Sequence, residues 1–168
     1  MNYKTLYEKN AAFFNARPNA KRVLLVLNIA LTAVFFLAYT ALVLWSWIAK
    51  FDVWACVKIL GIPALCLVLV MMLRLMIDRP RPYSAAGANI EPLLRKKSKD
   101  KESFPSRHLA CAFVIAAVFA PYLLWASFLL AGLGLMLGYV RFALGLHYPT
   151  DLLGGAALGL LCGLLWLI

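Results

Sequence analysis

A chain of 168 residues has the length of one domain, and we read residues 1–168 as a single membrane-embedded unit. Its 64% hydrophobic content and mean hydropathy of +0.84 exclude an ordinary soluble domain. The formal charge of +10, from 17 basic and 7 acidic residues, would suit nucleic acid on a soluble protein. On a chain this apolar it points instead to anionic lipid head groups and phosphate, with no nucleic-acid partner.

In chain order, residues 1–20 predict a surface helix with Tyr3, Leu6, Tyr7, Phe13 and Phe14 on an apolar face. Residues 1–22 are too polar to read as a signal peptide. The uncharged run 23–48 predicts a tilted transmembrane helix, and 53–73 a second, with Lys58 extending toward the interface. Residues 83–107 read as a polar, basic loop, in which Arg95, Lys96, Lys97, Lys99 and Lys101 form a solvated face near lipid head groups. No charge occurs from 109 to 140; Pro121 divides that run into helices near 108–124 and 126–145. Residues 152–168 give a last, short span. The expectation is an all-α bundle of about five transmembrane helices plus the N-terminal interfacial helix.

Gly155, Gly159 and Gly163 recur at four-residue spacing, and Gly134 and Gly138 repeat it on the preceding helix. Such rows let helices approach closely, within the chain or across a homodimer. Cys56, Cys66, Cys111 and Cys162 lie in apolar stretches and read as small buried hydrophobes. Tyr83, Trp125 and Tyr148 read as interfacial anchors, and Asp78 and Arg79 as a surface ion pair.

The only two histidines sit in arginine-rich motifs: Arg74-x6-Arg81-Pro82, then Pro105-Ser106-Arg107-His108, then Arg141-x5-His147-x3-Asp151. Singly, these could be basic flank, an interfacial histidine and a helix-surface pair four residues apart. Their sidedness argues for more. His108 and His147 are 39 residues apart, about 58 Å as helix and close to two crossings of a core of about 30 Å. An out-and-back hairpin therefore returns both to one face, and the loop carries Arg81 there too. Cationic donors and groups titrating near neutrality are the parts that phosphoryl chemistry needs.

Together the three motifs resemble the tripartite signature of the type 2 phosphatidic acid phosphatase superfamily, in its membrane lipid phosphatase branch. That pattern is Lys-x6-Arg-Pro, Pro-Ser-Gly-His and Ser-Arg-x5-His-x3-Asp. Here Arg74 stands for the lysine, Arg107 for the glycine and Val140 for the serine, and no catalytic group is lost. The resemblance implies His147 as a nucleophile forming a phosphohistidine, and Asp151 as the residue orienting it. It implies His108 as acid and then base. Arg74, Arg81, Arg141, Ser106 and Arg107, with backbone N–H groups near 106–107, would bind phosphate. No metal or other cofactor is called for.

The implied activity is hydrolysis of a lipid phosphomonoester or pyrophosphate: isoprenyl pyrophosphate, phosphatidic acid or phosphatidylglycerol phosphate. A phosphotransferase on the same site, or a non-catalytic lipid-phosphate binder or transporter, is the alternative. Of the 17 Lys and Arg residues, all but Lys50 and Lys58 fall on the motif side, so the positive-inside rule puts that side in the cytoplasm. The resemblance pulls the other way, since many bacterial members act on the outer face.

Overall fold

Backbone polar groups in hydrocarbon have no water to bond, so long apolar runs must satisfy them internally as helices. The computed structural model describes residues 3–84, 86–94 and 101–168, and all its regular elements are helical. They are α1 (Tyr3–Asn15), α2 (Pro18–Ile48), α3 (Val53–Ile77), α4 (Arg107–Phe119), α5 (Leu124–Ala143) and α6 (Pro149–Gly163), with a 3₁₀ turn at Leu164–Leu167. Pro18 and Pro149 open α2 and α6, where a missing N–H is harmless. Asp52 caps α3 by accepting from the backbone N–H groups of Trp54 and Ala55 at 3.2 and 3.1 Å. Asp78 ends the same helix in the left-handed region, at φ 39°.

Among the described residues four helices are long and apolar enough to cross a bilayer: Pro18–Ile48, Val53–Ile77, Leu124–Ala143 and Pro149–Leu167. The chain is thus a multi-pass membrane bundle. The helix expected near 108–124 is shorter, because α4 has 13 residues, about 20 Å of rise. It stops before Pro121, and the turn closes with the N–H groups of Tyr122 and Leu123 donating to the carbonyl of Phe119. What α4 lacks in length it makes up in burial. Nine of its residues are inaccessible, with α3, α5 and α6 around it.

The glycine rows make that enclosure. A Cβ on Gly155 would lie 2.5 Å from the carbonyl oxygen of Ser106, and one on Gly159 would lie 2.5 Å from that of Ala110. Gly134 faces Phe113 and Gly138 faces Leu109. The faces singled out for packing or homodimer contact are therefore filled by α4 of the same chain.

The two ends of the bundle differ. At one, Lys58 donates to the carbonyl of Trp166 at 3.2 Å, and the rings of Trp45, Phe51, Tyr122 and Trp166 cluster. The three motifs occupy the other, together with α1, which docks by three polar contacts. Tyr7 Oη donates to the Glu91 carbonyl at 2.9 Å and accepts from Leu93 N–H at 3.1 Å, while Asn10 donates to the Ala143 carbonyl at 3.2 Å. Of the expected apolar face of α1, Tyr7 and Phe14 are buried, whereas Leu6 and Phe13 stay exposed. Arg95, Lys96, Lys97 and Lys99, read as a basic face, lie outside the described residues.

Candidate active site

The loop at residues 101–106 folds back over the ends of α3 and α6 and joins the motifs. Arg74, in the last turn of α3, donates to the carbonyls of Glu102 and Pro105. Arg81 Nε donates to the Lys101 carbonyl at 3.3 Å. Ser106 N–H donates to the Asp151 carbonyl at 2.9 Å, which fixes the start of α4 to the first turn of α6. That bond uses one of the backbone donors expected for phosphate. The Ser106 hydroxyl does not cap α4, so the positive end of the helix dipole still points to this end of the bundle.

Arg74, Arg81 and Arg141 are all buried, at 4%, 9% and 3% exposure. Three buried guanidinium groups repel one another and cost free energy to desolvate, so their natural complement is an anion. Among the described residues Arg141 has only Thr32 Oγ1 of α2 within bonding reach, at 3.5 Å, and its Nε has no partner. The buried hydroxyl of Ser106 is also unpartnered. Such orphaned donors are what a phosphate oxygen would satisfy.

His147, in the turn between α5 and α6, is buried at 2% exposure. Its Nδ1 lies 3.1 Å from the carbonyl of Ser103 and 3.6 Å from Asp151 Oδ2. The nearer acceptor for an Nδ1 proton is thus the Ser103 carbonyl, and the tautomer it favours leaves Nε2 with a lone pair. Burial is the main reason that the imidazole is held at about 4, well below its ordinary range; Arg81 and Arg141 reinforce this, and Asp151 opposes it. Burial thus favours the neutral form of His147.

Arg107 and His108 sit at the edge of this cluster and are less buried than its arginines. Arg107 is exposed and His108 half-buried, and both line a cavity of about 530 Å³ whose other walls include Thr32, Phe35, Pro63 and Val114. The volume suits a small organic ligand, and the wall is mostly apolar. Thr32 belongs to both the cavity wall and the Arg141 contact, so cavity and arginine cluster adjoin. Among the described residues no group of three or more His, Cys, Asp or Glu side chains could hold a metal ion.

Three further residues belong to this site, two of them read otherwise from the sequence and one, Ser103, not singled out there. Arg79 does not pair with Asp78; its Nη1 donates to Asp151 Oδ1 at 2.7 Å, and Asp78 pairs with Lys101, also at 2.7 Å. Tyr148, read as an interfacial anchor, also supports the site: its ring lies under the Arg79 guanidinium at 4.4 Å, and its hydroxyl accepts from Ala88 N–H at 3.0 Å. Ser103 donates from Oγ to Asp151 Oδ2 at 2.5 Å. Only the position of Arg79 between the first motif's two anchors hinted at its role; Ser103 carried no signal.

Comparison with known proteins agrees with this geometry. The sequence profile of the PAP2 superfamily matches residues 55–168. A protein of Escherichia coli (strain K12) named "Putative undecaprenyl-diphosphatase YbjG" is 29% identical over 154 residues, covering 89% of this chain and 75% of its own length. The crystal structure of Aquifex aeolicus LpxE superposes with a TM-score of 0.66 at 27% identity, over 84% of this chain and 86% of that one. The phosphatidylglycerolphosphate phosphatase of Bacillus subtilis, a transmembrane PAP2-type protein, superposes at 0.72 over 97% and 81%; at 23% identity it speaks for the fold.

Proposed function

The chain belongs to the PAP2 superfamily, and on that premise we propose that it is a metal-independent lipid phosphate phosphatase working through a phosphohistidine. The observation that carries this reading is a buried histidine, its Nδ1 facing a backbone carbonyl, set among three buried arginines, of which Arg141 keeps an unpartnered Nε. A site built only to bind phosphate needs the cations but gains nothing from His147. The adjoining apolar cavity of about 530 Å³ suits the proximal part of a lipid tail.

In the first step His147 Nε2 attacks phosphorus, the P–O bond to the lipid breaks, and His108 protonates the departing oxygen. Arg74, Arg81 and Arg141 hold the nonbridging oxygens, with the Ser106 hydroxyl and the start of α4 assisting. Asp151 stabilises the charge that the imidazole gains. In the second step His108 takes a proton from water, hydroxide attacks phosphorus, and the P–N bond breaks. Inorganic phosphate and neutral His147 result. Arg107, beside His108 on the cavity wall, adds a cation on the leaving-group side.

The substrate class is a lipid bearing a phosphomonoester or pyrophosphate, as isoprenyl pyrophosphate, phosphatidic acid and phosphatidylglycerol phosphate do. Phosphate release from all three, by purified protein in detergent with and without chelator, tests the reading. At least one should be turned over equally with EDTA, and His147→Ala should abolish it. Activity lost to EDTA, or kept without His147, would refute the mechanism. Among the described residues Lys50 and Lys58 are the only cations away from the motif end, so we place that end in the cytoplasm. Labelling of a cysteine added at the N-terminus, from outside intact cells, would overturn that orientation.

A further inference from the structure

Arg79 reaches across from the loop after α3 to the first turn of α6, and its guanidinium is held on several sides. Its Nη1 donates to Asp151 Oδ1 and to Thr150 Oγ1, each at 2.7 Å, with the Tyr148 ring beneath it. Tyr3 of α1 packs on that ring at 4.7 Å, so the N-terminal helix supports the same chain of contacts. The second carboxylate oxygen of Asp151 accepts from Ser103 Oγ at 2.5 Å and from Tyr148 N–H at 2.9 Å. Ser103 also offers its carbonyl to His147, and its own N–H donates to the Arg79 carbonyl at 2.9 Å.

Asp151 is thus bonded at both oxygens before His147 is reached. A bare carboxylate beside an imidazole favours the protonated ring, which cannot attack phosphorus. Here a full cation answers that carboxylate, and a neutral carbonyl takes the imidazole proton.

We infer, on the reading of His147 as nucleophile, that Arg79 and Ser103 are positioning residues: Arg79 offsets part of the Asp151 charge, and the Ser103 carbonyl holds Nδ1–H so that Nε2 faces phosphorus. The pair serves both half-reactions. A less basic imidazole is available for attack, and it is the better leaving group when water breaks the P–N bond. The other charges acting on His147 are Arg81, from the loop after α3, and Arg141 of α5, both opposing protonation. The start of α4 brings His108 and Arg107 to the same end. All four stay in place in the variants that test the inference.

Two histidines in the whole chain make the test direct, because ¹⁵N-imidazole NMR of the full-length protein in detergent shows both rings and His108→Gln assigns them. In the wild type His147 should remain neutral down to about pH 5. In Arg79→Gln its titration should move up by about one pH unit or more, and Arg79→Lys should return it most of the way. With phosphatidic acid and farnesyl diphosphate as probes, Arg79→Gln should lower kcat about tenfold or more and leave KM within about threefold. If Arg79→Gln does not fold, Tyr148→Leu, which removes the platform beneath the guanidinium, should shift His147 in the same direction by less. An unmoved His147 titration in the folded variant overturns the inference. The titration needs no substrate, so its outcome is separate from failure of the phosphatase reading, which would appear as wild-type protein releasing no phosphate.

Discussion

Replacing Arg141 by methionine should make the protein more stable and nearly inactive. Arg141 is 3% exposed and, among the described residues, bonds only to Thr32 at 3.5 Å and faces no carboxylate. Burying an ion costs several kcal/mol even after relaxation, and the Thr32 contact returns little of it. A methionine of similar length, free of that penalty, should gain about 1–3 kcal/mol, or about 3–10 °C in unfolding midpoint for a chain of this size. The same change removes a donor aimed at the transition-state oxygens, which should lower kcat about 10²–10³-fold. Inorganic phosphate at about 100 times its Kd should stabilise the wild type by about 2.7 kcal/mol, and this shift should be largely lost in Arg141→Met. Thermal unfolding in detergent and phosphate release on the same preparations read both quantities. A variant that melts lower and keeps its turnover would refute the argument that Arg141 is strained for the sake of phosphate.

The depressed His147 titration has a definite sign. The unfolded chain takes up a proton near pH 6.5 and the folded one only near pH 4, so stability should fall by up to about 3 kcal/mol across that window as pH drops; melts of wild type and His147→Gln at pH 7 and 4.5 isolate the effect. The acid limb of kcat/KM should likewise lie well below pH 6.5. Gly159→Ala places a Cβ 2.5 Å from the Ala110 carbonyl and should lower the unfolding midpoint by separating α4 from α6. Gly132→Ala, with nothing within 4 Å of its Cβ, should instead stabilise by about 0.5–1 kcal/mol.

Much of the site is legible in the sequence because charge marks itself in an apolar chain. Arg74, Arg81, Arg141, His147 and Asp151 could be picked out by order and spacing, and the hairpin arithmetic put them at one end. What the spacing could not show is how loops close. Ser103 is a serine in a polar stretch until residues 101–106 fold over α6 and bring its hydroxyl to Asp151. Arg79 has an acidic neighbour in Asp78, and only the tertiary fold gives it to Asp151 instead. Thr32 lies in α2, far from any motif, and meets Arg141 through helix packing. The length of α4 escaped for a related reason. An uncharged run through Pro121 looks alike whether its first helix has 17 residues or 13, and enclosure by α3, α5 and α6 lets the shorter one link the two ends of the bundle.

The proposed mechanism requires His147 to carry the phosphoryl group. Rapid quenching of the purified enzyme during turnover of ³²P-labelled phosphatidic acid or isoprenyl pyrophosphate, followed by peptide mapping, tests this directly. We predict an acid-labile, alkali-stable phosphoryl adduct on His147, present in wild type and absent from His147→Ala. Label on any other residue, or steady turnover by His147→Ala, would contradict it.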